Sequence, residues 1–266
     1  MRSTKVVFVR FEVAGYTQCG PVRTNNQDSY VAKLAHCAAN DCALLVVADG
    51  VGGASFGELA SAVAVRAFAT WFNKQAKPIV CAYACNVQAA KEALRAEWTG
   101  MIAHIHAQLL CYGLEHSCTL GTTLTAVFVW ENRYFCAQVG DSRAALITQE
   151  KVHWITRDQC VEDSFVNAPD SPVRLQKLLT QALGMSPHIE PDFYDSVLPP
   201  AAQLLVCSDG FCRMSSDEEL AALLNAAAHD HQSQTECIQK IAAMLEHRGE
   251  KDNTTAVLLR VAEVLE

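Results

Sequence analysis

The sequence lacks several features that mark common classes of protein. Its 12 cysteines are scattered and include no C-x-x-C pair, which disfavours a zinc site. No stretch approaches the roughly 20 consecutive apolar residues of a membrane-spanning helix. The segment 1–14 also lacks the continuous apolar run of a signal peptide. These absences predict a cytoplasmic protein with reduced thiols and no membrane partner.

Positive charge is scarce in this chain. It has 21 Lys and Arg residues against 29 Asp and Glu residues, which gives a formal net charge of -8. Binding to a nucleic-acid backbone needs clustered basic side chains, so we expect no nucleic-acid partner. Hydrophobic residues make up 50% of the 266 residues, and no linker or repeat divides them. We therefore predict a single packed domain over 1–266.

The apolar pattern predicts both strands and helices. Alternating or continuous apolar residues predict strands at 6–16, 43–48, 123–130, 134–138, 144–148, 152–155, 204–207 and 255–261. Apolar residues at spacings of three and four predict helices at 57–73, 88–110, 216–228 and 235–247. Strand clusters and helix pairs alternate in blocks, which favours an α+β fold of two antiparallel sheets flanked by helices over a doubly wound fold.

The stretch 157–200 has a less regular pattern. Prolines interrupt it, and only 173–183 has a helical pattern. We predict a flap beside the active site for this region.

Four aspartates lie next to a glycine or at the end of a predicted strand. They are Asp49 in VVADGVGG, Asp141 in QVGDSR, Asp209 in LLVCSDGF and Asp252 in EKDNTTAVLL. A strand that ends in Asp-Gly places a carboxylate at the rim of a sheet, and the glycine allows the backbone to turn sharply there. Carboxylates gathered in one place cannot all stay ionised unaided. A hard cation such as Mg²⁺ or Mn²⁺ resolves that conflict.

Eight motifs, taken in order, give the chain a family resemblance. They are Arg23 with the NNQDS segment that contains Asp28, DGVGG at 49–53, GTT at 121–123, GDSR at 140–143, TRDQ at 156–159, LTQALG at 179–184, SDG at 208–210 and DNTT at 252–255. Over essentially the whole chain this order resembles the metal-dependent protein phosphatases (PPM, or type 2C), in particular their compact bacterial members. The resemblance implies a four-layer αββα sandwich with metal ions in a cleft at one edge of the two sheets.

The same resemblance implies a set of metal ligands. Asp49 corresponds to the carboxylate that bridges two metal ions, and the Gly50 carbonyl to a ligand of one of them. Asp209 and Asp252 correspond to the other ligands of the second metal. Asp141 matches the aspartate with which family members hold a third, looser metal ion.

Three further residues take implied roles around the metals. Arg23 corresponds to the arginine that binds the phosphate, with a surface ion pair as the alternative. Asp28 is expected to orient metal-bound water, and Asn253 to support the loop that carries Asp252. The implied reaction is hydrolysis of phosphoserine and phosphothreonine in proteins by a water that two Mn²⁺ or Mg²⁺ ions activate. The implied partners are phosphorylated Ser/Thr proteins and a serine/threonine kinase that the enzyme opposes.

Three positions depart from the family pattern. Val51 and Gln159 stand where many members have histidine, and Gln27 stands where an acidic residue is common. Gln27 and Val51 motivate an alternative, a weakly active or inactive phosphatase-fold scaffold that binds phosphoproteins. The presence of Asp49 and the other implied ligands argues against it, because an inactive member would usually have lost one of them.

Other phosphatase chemistries fit the sequence less well. Cys207 and Arg213 have the C-x5-R spacing of cysteine-based phosphatases, but Asp209 inside that loop would repel phosphate and raise the pKa of the thiol. A phosphatase with a nucleophilic aspartate would have an early D-x-D pair, and none occurs in this sequence. A phosphatase of nucleotides or small metabolites is also disfavoured, because no G-x4-G-K-[ST] loop occurs.

Overall fold

The fold is described from a computed structural model, which covers residues 8–37, 40–51, 56–149, 151–165, 174–199, 201–226 and 231–264. Its strands are β1 (Phe8–Gln18), β2 (Asp28–Cys37), β3 (Asn40–Val51), β4 (Gly121–Thr122), β5 (Leu124–Trp130), β6 (Arg133–Val139), β7 (Arg143–Ile147), β8 (Val152–Trp154), β9 (Cys160–Phe165), β10 (Arg174–Leu179), β11 (Asp192–Val197), β12 (Gln203–Cys207) and β13 (Thr254–Val264). Its helices are α1 (Gly57–Cys85), α2 (Val87–His116), α3 (Asp209–Cys212), α4 (Asp217–Asn225) and α5 (His231–His247).

The strands form two large antiparallel sheets. One has the order β1-β13-β12-β7-β8, and the other has the order β11-β6-β5-β3-β2. Strands β9 and β10 make a separate antiparallel pair, and the short β4 pairs with β3. The prediction of two antiparallel sheets is confirmed.

Alternation along β3 shows how the layers arise. Leu44 and Val46 pack in an apolar cluster with residues of α1 and α2, whereas Leu45 and Val47 pack between the two sheets with residues of the opposite sheet. Successive side chains of a strand point to opposite faces, so a strand buried on both sides reads as a continuous apolar run.

Strand β12 repeats this arrangement on the other side of the molecule. Leu205 joins a cluster with α4 and α5, while Leu204 faces the other sheet. The result is the predicted αββα sandwich, with helices outside both sheets.

An aromatic cluster lies between α1, α2 and the β11-β6-β5-β3-β2 sheet. Trp98 packs edge-on against Phe68, Trp71 and Phe135, with ring centroids 4.9, 5.2 and 5.4 Å away. It is fully buried.

Among the described helices, none has the combined length and apolar character needed to cross a bilayer.

One predicted element is wrong. The helix expected at 173–183 is instead strand β10, which pairs with β9 from Arg174 opposite Phe165 to Leu179 opposite Cys160. The sequence RLQKLL favours helix by local propensity, and the tertiary pairing overrides it. Strands β2, β9 and β11 were not predicted, and segment 166–173 of the predicted flap lies outside the described residues.

Candidate metal centre

The two sheets bring five chain segments to one cleft. Asp28 begins β2 and lies directly opposite Asp49 near the end of β3. Asp209 follows β12, and Asp252 precedes β13. Strands β12 and β13 are neighbours in the sheet that does not contain β2 and β3. Asp141 lies between β6 and β7.

Electrostatics shows that these carboxylates are close neighbours. Burial and then the negative charges of Asp28, Asp209, Asp252 and Asp141 raise the pKa of Asp49 well above its usual range. Like charges in a dry cleft disfavour ionisation of each member. The aspartates predicted from sequence are therefore gathered in one cluster.

The neighbouring aspartates are perturbed in the same direction. Burial raises the pKa of Asp28 to about 6, although Ser208 Oγ donates a hydrogen bond to its Oδ2 over 2.8 Å. Burial and then the charge of Asp209 raise the pKa of Asp141 to about 6. Burial also raises the pKa of Asp209.

The donor set suits a hard divalent cation. Within the described ranges, Asp28 Oδ1 and Asp209 Oδ1 are buried without a hydrogen-bond partner. Buried carboxylate oxygens normally have a partner, and oxygen donors in a negative cluster are what Mg²⁺ and Mn²⁺ take. As the side chains stand, no three Asp, Glu, His or Cys groups of the described residues converge closely enough to enclose an ion. Arginine side chains contact two of the carboxylates instead. The residues therefore fit a divalent cation by the chemistry and the burial of their oxygen donors.

Threonines of the GTT motif fix the backbone at Asp49. The Asp49 amide donates to Thr123 Oγ1 over 2.9 Å, and Thr122 Oγ1 donates to the Asp49 carbonyl over 3.0 Å. The next residue, Gly50, has no room for a side chain, because a Cβ there would lie 2.5 Å from the backbone of Gly57. The close packing holds the Asp-Gly turn in place.

Asn253 joins the two sides of the cleft. Its Oδ1 accepts a hydrogen bond from the Gln27 amide over 3.1 Å, and its Nδ2 donates to the Asn25 carbonyl over 3.3 Å. The loop that carries Asp252 is thereby tied to the segment that leads into Asp28.

Two arginines contact the carboxylates. Arg23 Nη2 lies 2.7 Å from Asp252 Oδ1. Arg213 forms an ion pair with Asp209, and its Nη atoms lie 3.7 Å from Glu250 Oε1 and 3.8 Å from Asp252 Oδ2. Sequence analysis considered Arg213 only for a cysteine loop and missed this contact, although its i,i+4 spacing from Asp209 was a readable signal.

Glu250 is a second residue that sequence analysis missed. It is only 5% exposed, and its Oε1 accepts hydrogen bonds from the Lys251 and Asp252 amides over 2.9 and 3.0 Å. No sequence motif indicated it, because its burial depends on the tertiary fold. Its carboxylate adds to the negative charge around Asp209.

The Gln159 side chain also makes defined contacts. Its Oε1 accepts from the Gly140 amide over 2.7 Å, and its Nε2 donates to Asp192 Oδ2 over 2.8 Å. Nearby, Cys160 Sγ donates to Asp141 Oδ2 over 3.6 Å. Gln159 therefore links the Gly140–Asp141 turn to β11.

The cysteine-loop alternative is not supported by the geometry. Cys207 is fully buried, and its hydrogen bond with Cys212 and then its burial raise its thiol pKa well above the usual range. A nucleophilic cysteine needs a low pKa and access to substrate. The Arg213 guanidinium pairs with carboxylates and does not close a phosphate-binding loop around Cys207.

Close packing at Gly210 supplies a test of the site architecture. A Cβ there would lie 2.3 Å from the Asn253 carbonyl oxygen, so Gly210→Ala must push α3 away from the loop of Asp252. We expect it to lower the free energy of unfolding by about 1–3 kcal/mol in urea titrations. Gly100→Ala, in α2 with no atom within 4 Å of the new Cβ, is the control, and it should stabilise by about 0.5–1 kcal/mol. Equal stability of the two variants would contradict this packing argument.

Comparison with known proteins decides the family. The family model described as protein phosphatase 2C matches residues 21–246. The chain belongs to the protein phosphatase 2C family. The resemblance carried by the eight motifs is thus confirmed.

Relatives and solved structures of the protein phosphatase 2C family agree with this assignment. Protein phosphatase PhpP of Streptococcus pneumoniae serotype 2 is 28% identical over 261 residues, which cover 95% of this chain and 98% of the relative. The S. agalactiae serine/threonine phosphatase has the same fold, with a TM-score of 0.73 at 24% identity over 95% of this chain and 100% of that chain. The catalytic domain of serine/threonine protein phosphatase PstP, solved in complex with two manganese ions, has a TM-score of 0.69 at 25% identity and covers 96% and 99% of the two chains.

Proposed function

We propose that this protein phosphatase 2C member is a protein serine/threonine phosphatase that uses divalent cations, Mn²⁺ or Mg²⁺, at the aspartate cluster. The observation that carries the proposal is the negative charge that Asp28, Asp209, Asp252 and Asp141 place around the buried Asp49. The named activity of PhpP and the two manganese ions of the PstP structure support it.

Each residue takes a role that its position supports. Asp49 would be a ligand of both cations, the Gly50 carbonyl would complete the first site, and Asp209 and Asp252 would complete the second. Asp141, at the edge of the cluster, is the proposed ligand of a third. Bound cations would lower the pKa of a water molecule toward neutrality and so supply the nucleophile.

Other side chains position the reactants around these ligands. Asp28, held by Ser208, is placed to orient a water in the cleft. Arg23 is half exposed beside Asp252, and a guanidinium has five N–H donors, so it can bind a phosphate at the mouth of the cleft. Asn253 ties the loop that carries Asp252 to residues 25–27 through its hydrogen bonds to Gln27 and Asn25.

Protonation of the leaving group falls to solvent in this proposal. Val51, which follows the Asp-Gly turn at the end of β3, carries no proton donor. The substrate oxygen would then take its proton from water. Opposition to a kinase, the cytoplasmic location and the flap at 157–200 stay predictions.

The test is phosphate release from a phosphothreonine peptide by the purified protein with Mn²⁺, with Mg²⁺ and with chelator. We expect cation-dependent release that falls about 100-fold or more in Asp209→Ala, because loss of a ligand removes several kcal/mol of transition-state stabilisation. Asp195→Ala is the matched control. Asp195 also pairs with a basic side chain at similar exposure, but it lies on β11 and contacts Lys91.

Three outcomes would count against the proposal. Release that persists in chelator, or in Asp209→Ala, would remove the cation-dependent mechanism. Absence of release from a folded protein with any cation would favour the scaffold. Faster release from nucleotides than from the peptide would shift the substrate class to small metabolites.

A further inference from the structure

Arg213 lies inside the aspartate cluster. It directly follows α3, one turn after Asp209, where its amide donates to the Asp209 carbonyl over 3.0 Å and its guanidinium pairs with the Asp209 carboxylate. The same guanidinium lies 3.8 Å from Asp252 and 3.7 Å from Glu250. One side chain of the protein therefore supplies positive charge to both proposed ligands of the second cation.

The carboxylates around Arg213 are more buried than the arginine itself. The side chains of Asp209 and Asp252 are 26% and 24% exposed and that of Glu250 is 4% exposed, whereas that of Arg213 is 48% exposed. Water therefore screens these pairs only in part. Glu250 is itself fixed by two backbone amides, so it presents a stationary negative charge toward Arg213.

A guanidinium and a divalent cation are attracted to the same two carboxylates. Arg213 pairs with Asp209 Oδ2 and leaves Asp209 Oδ1 without a partner among the described residues, so a cation bound there would share the carboxylate with the guanidinium. Two positive charges on one carboxylate repel each other, and each lowers the negative charge that the other meets. The presence of Arg213 therefore lowers the affinity of Asp209 and Asp252 for a cation.

We propose that Arg213 competes with the second divalent cation for Asp209 and Asp252 and thereby makes that site the weaker of the two. This inference rests on the proposed function, since it takes both aspartates as ligands. The first site depends on Asp49 and the Gly50 carbonyl, which Arg213 does not touch in any described contact. Occupancy of the second site then follows the concentration of free cation.

The test is calorimetric titration of the metal-free protein with Mn²⁺ alone, without substrate. We expect Arg213→Gln to bind the second Mn²⁺ about tenfold more tightly than the wild type, with a smaller change at the first site. Arg213→Lys should fall between them, because an ammonium keeps the charge but lacks the planar fork. Arg10→Gln is the control, since Arg10 has a similar 40% exposure and pairs with Asp41, outside the cluster.

Thermal unfolding gives a second readout that does not depend on turnover. Without metal, Arg213→Gln should unfold at a lower temperature than the wild type, since its carboxylates lose their partner. Added Mn²⁺ should raise its unfolding temperature by more than it raises that of the wild type. If Arg213→Gln fails to fold, Arg213→Lys carries the same comparison with the wild type.

The outcomes separate this inference from the proposed function. Unchanged or weaker second-site affinity in Arg213→Gln, in a protein that binds Mn²⁺ and releases phosphate, would overturn the role of Arg213 alone. A higher KM for phosphopeptide at unchanged Mn²⁺ affinity would also overturn it and would make Arg213 a phosphate-binding residue. No Mn²⁺ binding and no phosphate release by any variant would overturn both.

Discussion

Asp49→Asn is expected to lower cation-dependent phosphate release about 1,000-fold and to stabilise the metal-free protein at the same time. The carboxylate is the proposed ligand common to the cations, so an uncharged amide removes the attraction that holds them together. Without metal, burial and four neighbouring carboxylates oppose ionisation of Asp49, and the uncharged amide removes that cost.

The raised pKa values also predict how the stability of the metal-free protein changes with pH. Asp49, Asp28 and Asp141 have raised pKa values in the folded protein, so the native state binds protons more readily than the unfolded chain. Their contribution to stability therefore falls as pH rises from about 4, the usual carboxyl pKa, through the folded pKa of about 6 for Asp28 and Asp141. In chelator, the cluster should therefore stabilise the folded state more at pH 5 than at pH 7.5.

Urea unfolding of wild type and Asp49→Asn in chelator, at pH 5, 6 and 7.5, measures this effect. The difference between the two proteins cancels the titration of groups elsewhere. The variant should gain most at pH 7.5, and a variant less stable than the wild type at that pH would contradict the prediction.

Asp41→Asn is the matched control for Asp49→Asn. Asp41 is also buried, but burial is outweighed there by hydrogen bonds from His36, the Phe11 amide and Arg10, which lower its pKa. Its loss should destabilise the protein with or without metal. Its loss should also leave the cation dependence of turnover in place, because Asp41 lies outside the cluster.

Trp98→Ala is expected to cost about 3–5 kcal/mol of unfolding free energy. The indole is fully buried on α2 and contacts three aromatic rings edge-on, so truncation leaves a cavity and removes aromatic contacts as well as apolar area. Its Nε1, buried without a partner among the described residues, offsets a small part of that loss.

Urea unfolding in the presence of Mn²⁺ measures the effect of Trp98→Ala. Leu114→Ala on the same helix is the control, since Leu114 is 82% exposed and should change stability by less than about 0.5 kcal/mol. The folded fraction of Trp98→Ala should keep its turnover, because the tryptophan is remote from the aspartates. A cost below about 1 kcal/mol would show that the layer between α1, α2 and the sheet is not closely packed.

The elements that sequence predicted well are those with a strong apolar pattern. Strands β3 and β12 are continuous apolar runs because both faces are buried, and α2 has apolar residues at helical spacing because one face packs on the sheet. Strand β11 was missed because its DFYDSV sequence is largely polar and lies at a sheet edge. Strand β10 was misread because its leucines fit a helix equally well.

The residues of the site also differ in whether the sequence could predict them. Asp49 and Asp209 were readable as Asp-Gly turns after buried strands, but their convergence with Asp252 came from the family resemblance, since spacing alone does not bring segments 200 residues apart together. Arg213 was readable as an i,i+4 partner of Asp209. Glu250 was not readable, because its burial depends on how three segments pack.

The order of β13 in its sheet has a consequence for synthesis of the protein. This strand, made after all the other described strands, lies between β1 and β12 and begins two residues after Asp252. Until β13 has been synthesised, β1 lacks its partner in this sheet, and Asp209 lacks the neighbouring carboxylate of Asp252. The cleft can therefore assemble only once β13 has been made, and a chain that stops before Asp252 would expose the edge of β12 and lack this member of the aspartate cluster.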